Sequence, residues 1–123
     1  MFVRTSEVPE QPTAHGEDYP GRKRPLVKRG VIPSVMQIAT SVEPGPVDSR
    51  DFDPPEGHRH PTGVEWYYIL GGRATFVIGE GEDEEVHEAR AGDFLVVPEN
   101  TLHYHIVPDG VKLELFYGLN ATD

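Results

Sequence analysis

The sequence predicts an all-β fold, an antiparallel sandwich or barrel made as one domain. Three observations carry that expectation. Short segments rich in β-branched and aromatic residues recur along the chain, separated by Gly, Pro and Asp turns. No stretch keeps a helical period over about ten residues or more. The 123 residues include 13 glycines and 12 prolines, which favours many turns over long helices.

Taken in order, residues 1–25 hold four prolines, two glycines and few large apolar side chains. They are expected to form an irregular, partly disordered arm ahead of a single domain over 26–123. The basic run "RKR" at 22–24 reads as a solvated stretch or an intersubunit contact. "VMQIATSV" (35–42) alternates loosely and stops at the turn "EPGP". "VEWYYILG" (64–71) and "RATFVIG" (73–79) flank Gly71-Gly72, a hairpin signal. "EEVHEA" (84–89) is a polar strand after the acidic turn "GEGED". "DFLVVP" (93–98), "LHYHIV" (102–107) and "VKLELFYGL" (111–119) complete the set.

Composition narrows the function classes. The net charge of −10 argues against a nucleic-acid or anionic-membrane partner. The chain has no cysteine, which removes disulfide frameworks and thiolate metal sites. The N-terminus has no apolar signal core and no run reaches a membrane span, so a soluble, cytoplasmic protein is expected.

Residues 57–72, "GHRHPTGVEWYYILGG", concentrate the chemistry. Alternate side chains of a strand share a face, so His58 and His60 point the same way if that segment is extended. Glu65 begins the next strand, and His103 opens a later one that can face the same interior. Three imidazoles and a carboxylate suit a borderline divalent metal such as Fe, Mn, Co, Ni or Zn. H-x-H alone is a weak signal. Paired with "GDFLVVPENTLH" (92–103) it is far more specific.

These two stretches resemble the motifs of the cupin superfamily. His58, His60, Glu65 and Gly72 match the first motif, and Gly92, Pro98 and His103 match the second, over roughly residues 34–118. The resemblance implies a double-stranded β-helix, a jelly-roll-like barrel, with His58, His60, Glu65 and His103 as metal ligands. It puts iron(II) first, with manganese, nickel or zinc as alternatives. It also implies a homodimer. Three positions depart from the pattern. Phe52 stands where the first motif opens with glycine, so the loop reaching back to Gly45 is longer. Asn100 replaces a glycine, and Asn tolerates the left-handed backbone such a turn needs. Val107 replaces an asparagine.

Further residues have two readings each. Tyr67 shares the face of Glu65 and Ile69, opposite Trp66, Tyr68 and Leu70; it is either an acid/base group beside the metal or barrel packing. His105, two residues after His103, is either a substrate contact and proton shuttle or part of a polar rim. The loop "PVDSRDFDPPE" (46–56) offers Asp48, Arg50, Asp51 and Asp53 as substrate contacts, against a solvated loop or dimer contact. Gln37 and the inward residues of 111–118 are candidate pocket lining. His15 and His87 carry no assigned role. By this resemblance the chain is a metal-dependent enzyme acting on a small organic substrate, with a dioxygenase-type oxygenase first. A lyase, isomerase or polyketide-cyclase type using Tyr67 or His105 is the alternative, the spacing Glu65-x-Tyr67 being similar to that of cupin lyases acting on dimethylsulfoniopropionate. A non-catalytic metabolite-binding module is the third reading.

Overall fold

A computed structural model describes residues 1–52, 54, 55 and 57–122. The architecture is all-β, as the alternation and turn chemistry require. Strands β1 (Gln11–Pro12), β2 (Arg22–Val27), β3 (Val35–Pro44), β4 (Val47–Asp48) and β5 (Gly63–Gly71) are followed by β6 (Arg73–Ile78), β7 (Glu85–Arg90), β8 (Phe94–Val97), β9 (His103–Val107) and β10 (Lys112–Ala121). They form a six-stranded sheet, ordered β1-β2-β3-β10-β5-β8, and a four-stranded sheet, ordered β4-β9-β6-β7. Every pairing is antiparallel.

The core lies between the inner faces. Ala39, Ile69, Val97, Val107, Leu113 and Leu115 are fully enclosed there. Strand β5 shows the expected period of two: Glu65, Tyr67 and Ile69 are buried, while Tyr68 and Leu70 are exposed. The β5–β6 hairpin turns at Gly72, where φ is +76° and a Cβ would run into the Lys112 carbonyl. Only glycine meets both conditions at once. Asn100 adopts φ +54°, the left-handed conformation expected of it. The acidic run 79–85 forms an exposed tip between β6 and β7.

The segment before Leu26 departs from the expected arm. Strand β2 crosses the expected boundary at 25/26 and pairs with β3. Tyr19 belongs to the core, only 2% exposed. The physical reason is non-local. "RKRPLV" has little strand propensity of its own, and β3 supplies the hydrogen-bonding edge it adds to. The "RKR" run is therefore half-buried sheet rather than free surface. Among the described residues no helix is long and apolar enough to cross a membrane.

Candidate metal centre

Backbone pairing pins the histidines before any side chain is considered. His58 and His103 exchange amide hydrogen bonds of 3.0 and 2.9 Å. The Asn100 amide donates to the His60 carbonyl at 2.8 Å. Gly57 permits this approach. Its φ is +103°, and a Cβ would lie 2.7 Å from the His103 carbonyl oxygen. The "GHRH" segment is thus strapped across the start of β9, while Glu65 projects inward from the adjoining sheet.

The four expected ligands converge. One donor atom from each of His58, His60, Glu65 and His103 lies within 4.8 Å of all the others. Glu65 sits at the centre of the group. Its Oε1 is 3.2 Å from His103 Nε2 and 4.0 Å from His58 Nε2, and its Oε2 is 3.5 Å from His60 Nε2. The His103 ring is oriented by Nδ1, 2.9 Å from the Thr101 carbonyl. A neutral imidazole that donates there presents an Nε2 lone pair to Glu65, lone pair against lone pair. A cation between the two atoms resolves that contact. His60 Nε2 is buried and, among the described residues, makes no hydrogen bond of good geometry. An orphaned imidazole nitrogen facing a carboxylate and two further imidazoles is the donor set of a first-row divalent ion, so the residues fit a metal.

The electrostatics agree. Burial, reinforced by the neighbouring His103, pushes His58 down to about 3, so it is a neutral candidate ligand at ordinary pH. Burial opposes ionisation of Glu65. The neighbouring His103 and His60 imidazoles outweigh it and hold the carboxyl well below the usual range. Tyr67 donates its hydroxyl to Glu65 Oε1, and its own ionisation is pushed up, first by burial and then by that carboxylate. The ring packs against Phe76 and Tyr117. Tyr67 is therefore both packed and hydrogen-bonded to a candidate ligand.

His105 is no rim residue. It is buried, stacked on Phe76, with its backbone amide donating to Ser49 Oγ. Its Nε2 donates to Glu43 Oε1 at 2.6 Å, and the Tyr19 hydroxyl donates to the same oxygen. Burial disfavours the charged imidazole, but Glu43 overrides it and raises its pKa; Glu43 is lowered in turn by His105 against its own burial. Neither Glu43 nor Tyr19 stood out as a site residue in the sequence. One lay in a turn signal and the other in the supposed arm.

His58, His60 and Glu65 of the first cluster and Glu43 and His105 of the second line one cavity of about 280 Å³, with Thr13, His15, Lys23, Gln37, Ser41 and Leu119. Gln37, Leu115 and Tyr117 line it, as expected of the inward residues. His15, which the sequence left without a role, lies 4.4 Å from Tyr19 and 5.4 Å from His58 between ring centroids. His87 stays on exposed β7 beside Glu85. The 46–56 loop does not bring its charges to this cavity. Asp48 and Arg50 bind each other, and Arg50 covers the Tyr104 ring at 4.1 Å. The exposed Asp51 is likewise absent from the lining, and Asp53 lies outside the described residues. A wider cleft of about 510 Å³ between β7 and β8 opens onto Val86, Phe94 and Val96 and touches none of the clustered ligands.

Comparison with known proteins gives a consistent picture. The sequence model of the cupin domain matches residues 42–117. A predicted oxalate decarboxylase from Thermotoga maritima superposes with a TM-score of 0.79 at 20% identity, covering 98% of this chain and 99% of the other. The polyketide cyclase RemF from Streptomyces resistomycificus gives 0.73 at 14% identity, covering 100% and 80%. Iron(II) HppE in complex with substrate gives 0.71 at 16% identity, covering 98% and 59%. At these identities the likeness is one of fold. No curated protein matches in sequence.

Proposed function

The chain belongs to the cupin family, and from that premise we propose that it is a metal-dependent enzyme converting a small organic substrate at a centre held by His58, His60, Glu65 and His103. One observation carries the reading: four donor atoms lie within 4.8 Å of one another, and three of their residues, His58, His60 and Glu65, line a cavity of about 280 Å³. That volume is near the lower end of ligand pockets, which run from about 300 to 1,000 Å³, so the substrate is small. A divalent ion there supplies an electrophile with positions open to substrate.

The chain's own residues set the rest. A divalent ion held by three imidazoles and one carboxylate would keep a net positive charge and would favour a substrate with an anionic oxygen. Tyr67 holds Glu65 in place through its hydroxyl. Apolar Leu115 and Leu119 and the Tyr117 ring limit water in the cavity. Neither candidate acid/base group is poised to take a proton. The Tyr67 phenol is kept protonated, and His105 is committed to Glu43. Both are better placed as donors than as bases. The first reading is an oxygenase, with iron(II) as the metal and dioxygen as co-substrate; a lyase, isomerase or cyclase would use the same two groups as acids.

The test is metal analysis of anaerobically purified full-length protein, followed by oxygen-electrode assays with small enolisable and diol substrates. Stoichiometric iron and substrate-dependent oxygen uptake are expected. Turnover that is equally fast without oxygen and with zinc would move the enzyme to the non-oxidative class. Absence of any stoichiometric metal would refute the enzyme reading itself.

A further inference from the structure

Away from the ligand group, one wall of the cavity carries positive and donor groups that the proposed metal chemistry does not use. Lys23 on β2 and Ser41 on β3 are direct cross-strand partners, so their side chains share the inner face. The Lys23 ammonium donates to the neutral Gln37 Oε1 at 2.6 Å. Among the described residues no carboxylate lies within ion-pair distance of it. The other basic side chains of this strand, Arg22 and Arg24, do have acidic partners, Glu17 and Glu10. Ser41 is only 4% exposed, and its Oγ has no hydrogen-bond partner among the described residues. Both side chains line the cavity.

A half-buried ammonium without a counter-ion and a buried orphan hydroxyl side by side are each costly in a folded protein. A ligand with a negative charge and two acceptor oxygens would satisfy both at once. Burial also lowers the pKa of Lys23, countered by the distant charge of Glu65, so the ammonium is short of solvation. The cavity's remaining acid, Glu43, is already matched by His105.

We infer that Lys23 and Ser41, with Gln37 orienting the ammonium, form the recognition site for a substrate carboxylate. The assignment rests on the proposed function for its meaning. It makes the substrate a small monocarboxylate whose reactive end reaches the metal ligands while its acid group is held on the β2–β3 wall. Hydroxyl and ammonium together select a carboxylate over a neutral amide of the same shape, because an amide gives the ammonium no charge partner.

The test uses the full-length protein, stripped of metal so that no carboxylate can bind to an ion. Butanoate, butyramide and inorganic phosphate are titrated separately and followed by amide chemical shifts. Butanoate is expected to bind about tenfold or more tightly than butyramide, as a charge-assisted pair implies. Lys23→Met should abolish that preference, Lys23→Arg should retain most of it, and Ser41→Ala should weaken butanoate binding about three- to tenfold. Equal binding of acid and amide, or an undiminished preference in folded Lys23→Met, would overturn the inference. Tighter binding of phosphate than of butanoate would overturn the carboxylate class. The two readings fail separately. Carboxylate preference in a protein that takes up no metal would refute the metal enzyme alone, and metal uptake without carboxylate preference would refute this site alone.

Discussion

Replacing Glu43 with alanine should be among the most damaging single changes outside the hydrophobic core. Its carboxylate is 4% exposed and accepts from both His105 and Tyr19. Removing it leaves an imidazole and a phenol buried without their shared acceptor. Breaking a buried, hydrogen-bonded charge pair by deleting one partner costs about 3–5 kcal/mol. For a domain of this size about 1 kcal/mol corresponds to about 3–6 °C, so Tm should fall by about 10–30 °C. The assay is chemical denaturation of metal-free protein, with Glu43→Gln beside Glu43→Ala. Glutamine keeps the volume and an acceptor for Tyr19 and should cost less. A cycle with His105→Ala should give a coupling of about 2 kcal/mol or more. The pH dependence has a definite sign. Glu43 is lowered on folding, so its contribution is present above the ordinary carboxylate value and is lost as pH falls through the folded one. The gap between the parent protein and Glu43→Ala should therefore narrow in acid. A cost below about 1 kcal/mol at pH 7, or no coupling to His105, would refute the reasoning.

Three further outcomes are expected. His58→Ala and His103→Ala should each weaken metal binding more than about 100-fold, measured by competition with a chelating dye, since loss of an outer-shell partner alone costs about 10–100-fold. Tyr67→Phe should retain stoichiometric metal but bind it about tenfold more weakly, because the phenol orients Glu65. Metal-free protein should lose stability as pH falls below 6.5 toward about 3, the window in which His58 accepts a proton only when unfolded. One such group contributes a slope of up to about 1.4 kcal/mol per pH unit, readable from denaturant melts at pH 7 and pH 5. Saturating metal should flatten that slope.

Much of the site was legible because it is written locally. The H-x-H spacing with Glu65 five residues on, and the Gly72 and Asn100 turns, specify both the candidate ligands and the chain reversals that bring them together. Alternation along β5 was enough to send Glu65 and Tyr67 inward. The residues that escaped notice are those whose environment comes from distant partners. Tyr19 looks like part of a Pro-rich arm, yet it meets Glu43 and His105, which are 24 and 86 residues away in sequence. Lys23 looked like one charge of a basic run until β3 set it beside Ser41. The 46–56 loop had two readings in the sequence, substrate contacts or a solvated or dimer-contact loop, and Asp48 and Arg50 are near enough to neutralise each other away from the cavity.

Local pattern was sufficient for strand identity, turn chemistry and the candidate metal-binding group, because side-chain period, left-handed turns and side-chain type depend on neighbours a few residues apart. Which polar groups end up buried together was decided only by the closure of the two sheets. Solvation and charge pairing are properties of position in space, and no spacing along the chain records that Glu43 is matched by His105 while Lys23 lacks a carboxylate partner.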